Sequence, residues 1–225
     1  MPRSLLRLFP CGLLMLALSP GASAFNDLTR LQNLVYDTPH LDNTRATDKV
    51  IYDYIYTHID SEEPVHDNVT LTIHHERDEG RRDVTVDFLS GEHRLPLPAF
   101  DDYRGNPVII AMLEHLAQSM GRDTGGGALY FRNRIRDSLA ERDTHIRDGV
   151  EEKTDTPYAY KAYSEFVIKP FVGDPYLAER PEYTQAQITF RFSQSVPGQL
   201  VSIKLQSGPS DQPKITRELI LGQTP

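Results

Sequence analysis

Apolar and polar residues alternate along several stretches of this chain, with the period of two that marks a strand having one buried face. Val69, Leu71 and Ile73 alternate with Thr70, Thr72 and His74, and Val84, Val86 and Phe88 alternate with Thr85 and Asp87. Arg77-Asp78-Glu79-Gly80-Arg81 between them predicts the turn of a hairpin. Lys49 to Ile59 fits two periods, a helical stripe of Val50, Ile51, Tyr54, Ile55 and His58 or the alternation Val50, Tyr52, Tyr54, Tyr56 and His58. Its β-branched and aromatic residues favour the pleated form. Further strands are expected from Tyr160 to Ile168, Tyr183 to Phe192, Leu200 to Leu205 and Ile215 to Leu221, with a Val196-Pro197-Gly198 turn before the third of these. Pro96 and Pro98 keep the stretch after Gly91 out of any central strand.

The middle of the chain changes period. Asn106 is a helix cap with Pro107 in the first turn, where its missing N–H is harmless. Ile109, Met112, Leu113, Leu116 and Met120 then form one stripe that Gly121 would end. Gly125 to Gly127 lead into a second helix with Phe131, Ile135 and Leu139 inward. Near the start, Leu28, Leu31, Leu34 and Val35 suit a short amphipathic helix that Pro39 would stop. Short links between strands demand antiparallel pairing. The expectation is therefore α+β: a mostly antiparallel sheet of about six to seven strands with two central consecutive helices packed on it.

Residues 1–24 have a different pattern. Arg3 and Arg7 precede the apolar run Leu8 to Leu18, and Ala22-Ser23-Ala24 supplies small residues for cleavage. This predicts a signal peptide cut near Ala24, a periplasmic or secreted product, and a single domain over residues 25–225. No later segment is apolar enough for a membrane span. The only cysteine, Cys11, lies in the signal, so the mature domain is cysteine-free and must be held by packing and hydrogen bonds. The 24 basic residues less Arg3 and Arg7 leave 22 against 32 acidic ones, a net charge of −10. Such a surface repels nucleic acid.

Gly105-Asn106-Pro107, Leu113-Glu114, Arg122, Thr124-Gly125-Gly126 and Tyr130-Phe131-Arg132-Asn133-Arg134-Ile135-Arg136 form a distinctive constellation, followed by Lys169-Pro170-Phe171, Asp174-Pro175 and Ser195-Val196-Pro197-Gly198. In these motifs the chain resembles a family of uncharacterised exported proteins of Gram-negative bacteria. The resemblance covers most of the mature chain and implies a periplasmic setting, without an activity.

The same constellation is the best candidate for chemistry. Glycines let backbone N–H groups approach an anion at a helix start. Gly125 and Gly126 would supply donors, Arg132 and Arg136 charge, and Glu114 would orient one arginine. The alternative is structural: the glycines reverse the chain between two helices, Arg132 or Arg136 pairs with Glu114, and Arg134 pairs with Asp137. It is not a P-loop, because no Gly-Lys-Ser/Thr follows.

His74 and His75 point to opposite faces of a strand and cannot share an ion without a bulge, so with His93 they predict no metal site. His115 is expected to be partly buried and hydrogen-bonded. Tyr52, Tyr54 and Tyr56 share one strand face, which either packs with its hydroxyls at solvent or encloses a ligand. No Gly-x-Ser-x-Gly is present, and Asp101-Asp102 and Glu151-Glu152 fall in apparent loops. The reading is a non-enzymatic periplasmic binding or accessory protein, without cofactor or metal, whose partner is a small anionic or amphiphilic ligand or an envelope protein. A hydrolase with dispersed residues and a structural interaction protein are the alternatives.

Overall fold

The computed structural model describes residues 28–142, 144–150, 163–209 and 211–222. The expected signal peptide, Tyr160 and Glu151-Glu152 lie outside them. Nine strands form one antiparallel sheet: β1 (Lys49–His58), β2 (Val65–Glu76), β3 (Arg82–Phe88), β4 (Phe100–Tyr103), β5 (His145–Val150), β6 (Tyr163–Ile168), β7 (Gln187–Phe192), β8 (Leu200–Ser207) and β9 (Ile215–Leu221). Their order is β4-β3-β2-β1-β9-β8-β7-β6-β5. Among the described residues there are also four helices, α1 (Arg30–Tyr36), α2 (Pro107–Thr124), α3 (Ala128–Leu139) and the single turn α4 (Pro181–Thr184). The chain starts mid-sheet and steps outward to one edge. Helices α2 and α3 connect that edge to the opposite one, and the chain steps inward until β9 pairs with β1.

This corrects the expected α+β plan. Over the described residues the protein is mostly β, with nine strands instead of six to seven and with four helices, not a pair of central ones. The two unforeseen strands, β4 and β5, are the two edges. An edge strand pairs on one side only and can be short and polar, so it carries little alternation. Phe100-Asp101-Asp102-Tyr103 and His145-Ile146-Arg147-Asp148-Gly149-Val150 are of this kind. The strand expected from Tyr183 is also shorter: Pro181 begins the one-turn helix α4, which ends at Thr184, and pairing starts at Gln187.

Val50, Tyr52 and Tyr54 turn to the helix-covered face and pair with Leu71, Val69 and Asp67. Phe166, Ile188, Phe190, Ile203, Leu205 and Leu219 extend this face across the other half. Thr70, Thr72, Thr189, Lys204 and Glu218 occupy the opposite face and are half-buried. Helix α2 contacts both β3 and β8. It is buried around most of its circumference, apart from a stripe of Ile110, Glu114 and Gln118. Ile109, Met112, Leu116 and Met120 are wholly buried, each contributing about 1.5–3 kcal/mol. No described helix is long and apolar enough to cross a membrane.

Candidate functional site

A cleft of about 870 Å³ opens between α1, the start of β6 and the turn from β7 to β8. Thr29 fixes one wall. Its hydroxyl accepts from the Gln32 N–H while the Gln32 side chain accepts from the Thr29 N–H, a capping box. The Thr29 hydroxyl also donates to the Leu139 carbonyl at the end of α3 (2.8 Å). Leu31 and Val35 enter the core, which leaves Arg30, Asn33 and Leu34 on the cleft. Tyr163, Ser164 and Gly149 form the facing wall.

Phe192, Ser193, Gln194, Ser195 and Gln199 close the end of the cleft. Their turn is held from three sides. Asn43 donates to the Val196 carbonyl (2.7 Å) and accepts from the Gly198 N–H (3.0 Å), Asn106 donates to the Gly198 carbonyl (3.0 Å), and Gln199 donates to Asp42 (3.0 Å). Gly198 has φ of +68°, and a Cβ there would stand 2.9 Å from the Asn106 amide nitrogen, so glycine is required on two counts. His40 stacks on Phe192 with ring centroids 5.6 Å apart. Its Nδ1 accepts from the Asn106 N–H, which puts the neutral ring's proton on Nε2, a buried donor with no acceptor among the described residues. Burial lowers its pKa to about 4, against a smaller opposing pull from Asp42.

Arg30 is the one charged side chain lining this cleft among the described residues. Both its terminal nitrogens donate to Asp148, each at 2.7 Å, and Ser164 donates to the same carboxylate at 2.6 Å. These bonds hold the Asp148 carboxyl down at about 2. The Arg30 guanidinium also stands over the Phe166 ring, 5.2 Å from its centroid.

The glycine and arginine constellation forms the corner between α2 and α3. Gly125 caps α2 in the left-handed conformation (φ +73°), and its N–H is taken up by the Arg122 and Gly121 carbonyls. The Gly126 N–H donates to the Gly121 carbonyl at 2.9 Å. Both expected donors thus point back into α2 as an ordinary helix stop. Glu114 meets Arg132 in a two-pronged pair (2.7 and 2.6 Å), reinforced by Gln118, and its pKa falls below the usual range because of the Arg132 bond. Arg136 pairs instead with Asp137 (3.1 Å), away from Glu114. Arg134 pairs with Asp174 (2.9 Å), which corrects the expected Arg134–Asp137 pair.

Tyr52 and Tyr54 are buried, and their hydroxyls meet side chains of the α2 region instead of solvent. The Tyr52 hydroxyl accepts from Asn106 (2.9 Å), and the Tyr54 hydroxyl bonds His115 Nε2 (2.9 Å). Nearby, buried Arg217 donates to Asp123 (2.7 Å), which also accepts from the Tyr183 hydroxyl (2.8 Å), and the Arg217 guanidinium lies 4.6 Å over the Tyr56 ring. Desolvation lowers the His115 pKa to about 4, helped by the Arg217 and Arg122 charges and opposed by Asp123. Desolvation likewise raises Tyr54 to about 12. Sequence reading missed Arg217. Its signal was a lone charge at an inward position of β9, between Ile215 and Leu219.

The ladder of β2 on β3 does shift register between Ile73 and His75. His74 nevertheless bonds Thr85 (2.8 Å) while His75 faces Asp83 (3.3 Å). Among the described residues, no group of three or more histidine, cysteine or acidic side chains is placed to hold a metal ion. No protein-family model matches this chain, and a comparison with curated proteins found no match.

Proposed function

We propose that the protein is a non-enzymatic, exported binding protein that takes a small amphiphilic ligand in the cleft between α1, β6 and the β7–β8 turn. The observation that carries this reading is the cleft itself. Its volume of about 870 Å³ falls within the range of small-molecule sites, roughly 300–1,000 Å³. Leu34, Tyr163 and Phe192 offer apolar contact, and the amides and hydroxyls of Asn33, Gln194 and Ser195 offer hydrogen bonds. Multiple hydrogen bonds hold the turn that closes it, so little ordering accompanies binding.

The corner at Gly125, Gly126, Arg132 and Arg136 supports an anion site less well, because its donors and charges are engaged within the protein. The uncharged fluorescent probe N-phenyl-1-naphthylamine tests the cleft. The parent should give a saturable rise in fluorescence, and Leu34→Asp should weaken binding roughly tenfold, about 1.4 kcal/mol. An equal response from Leu34→Asp and the parent, or no saturable response, removes the reading.

A further inference from the structure

The electrostatics of this cleft narrow its ligand further. Among the described residues lining it, one side chain carries charge, Arg30, and seven bear neutral amides or hydroxyls apart from the tyrosine. Arg30 is not available as a free cation. Its bidentate bonds to Asp148 use both terminal nitrogens, and Ser164 anchors the same carboxylate from the facing wall. The pair is half exposed at the rim, with side chains 49% and 56% accessible, so a ligand entering the cleft meets it. A carboxylate or phosphate placed there would have to displace Asp148 while lying beside its charge. A hydroxyl-rich neutral headgroup meets no such opposition, and it finds donors and acceptors in Asn33, Gln194 and Gln199.

Resting on the proposed role of the cleft, we infer that it selects an uncharged, hydroxyl-bearing headgroup joined to an apolar portion, of the glycoside kind, and that Asp148 sets this selectivity by neutralising Arg30. Asp148 is a positioning residue in this scheme. It is not itself one of the lining residues, and it acts on the ligand by occupying the Arg30 guanidinium and by the negative charge it adds at the rim.

Two amphiphiles with the same eight-carbon chain separate the headgroup from the tail: octyl β-glucoside and octanoate, both titrated below their micelle concentrations and followed by protein NMR shifts. The parent should bind octyl glucoside more tightly than octanoate. In Asp148→Asn the ratio of octanoate to octyl glucoside affinity should rise roughly tenfold, the size of one charge-assisted hydrogen bond. The double variant Arg30→Gln/Asp148→Asn should lose that gain, which a merely structural role for Asp148 would not do.

Tighter binding of octanoate by the parent overturns the inference, and this comparison needs no variant. An unchanged ratio in folded Asp148→Asn overturns it as well. If neither amphiphile binds and the fluorescent probe is also silent, the cleft is not a ligand site and both readings go. If the probe binds at the cleft but headgroup preference is absent, only the selectivity inference goes.

Discussion

Mild acid should unfold this protein through two buried histidines. His40 is wholly buried and His115 is 6% exposed, and each is held neutral in the fold, with a pKa of about 4 against an ordinary 6.5. Protonating His40 would put a hydrogen on the Nδ1 that now accepts from the Asn106 N–H, and His115 would gain charge beside Arg217 and Arg122. The unfolded chain has no such obstacle and takes up protons below about pH 6.5. Stability is therefore fully present above 6.5 and falls as the pH drops from 6.5 to about 4. A depression of this size corresponds to roughly 3 kcal/mol for each histidine over the whole window. Two of them rival the 5–15 kcal/mol of a typical domain.

The carboxyls held near 2, Asp148 among them, do not lose their contribution until the pH falls below about 4, so they do not confuse this window. Falling net charge relieves repulsion and acts the other way, but equally in parent and variant. Urea melts from pH 7.5 to 4.5, followed by far-ultraviolet circular dichroism because the chain has no tryptophan, measure the slope. His115→Gln keeps a partner for the Tyr54 hydroxyl and removes one titration. Its stability should fall with acid by roughly 1.4 kcal/mol less per pH unit than that of the parent. Equal slopes, or a parent whose stability is flat between pH 6.5 and 4.5, would refute the reasoning.

Three substitutions probe the fold around the cleft and the helices. Asn106→Ala removes the cap on the Val108 N–H together with the bonds to Tyr52 and Gly198, and should lower stability by about 2–4 kcal/mol in denaturant melts. Gly126→Ala places a Cβ 2.6 Å from the Tyr176 hydroxyl, so it should cost about 1–2 kcal/mol, and Tyr176→Phe should recover part of that in a double-mutant cycle. Arg217→Ala empties a buried site and removes the partner of Asp123, which stays partly solvated and bonded to Tyr183, and should cost about 2–3 kcal/mol, whereas Arg217→Met with Asp123→Asn should come close to the parent in a thermal melt.

How much could be read beforehand followed from how strongly each element buries a face. The hairpin of β2 and β3 and the stripe of α2 put Leu71, Ile73, Val84, Ile109 and Met112 into the core, so their periods were plain. Side-chain stiffness decided β1 correctly against a competing helical stripe. The edges β4 and β5 escaped because half of their backbone bonds and most of their side chains face outward. The glycine run stands out in the sequence, but local chemistry does not say whether its N–H groups point at a ligand or into the preceding helix. The left-handed angle at Gly125 and the carbonyl of Gly121 settle that. The cleft was invisible for a different reason. Arg30, Tyr163 and Gln194 lie far apart in the chain and meet only because β6 and β7 are neighbours and α1 docks on the end of α3.

The most direct test of the binding account is to map amide shifts of the isotope-labelled protein on titration with octyl β-glucoside. The account predicts saturable shifts gathered at residues 30–38, 163–164 and 192–199. Shifts centred on the α2–α3 corner, or scattered over the surface without saturation, would contradict it.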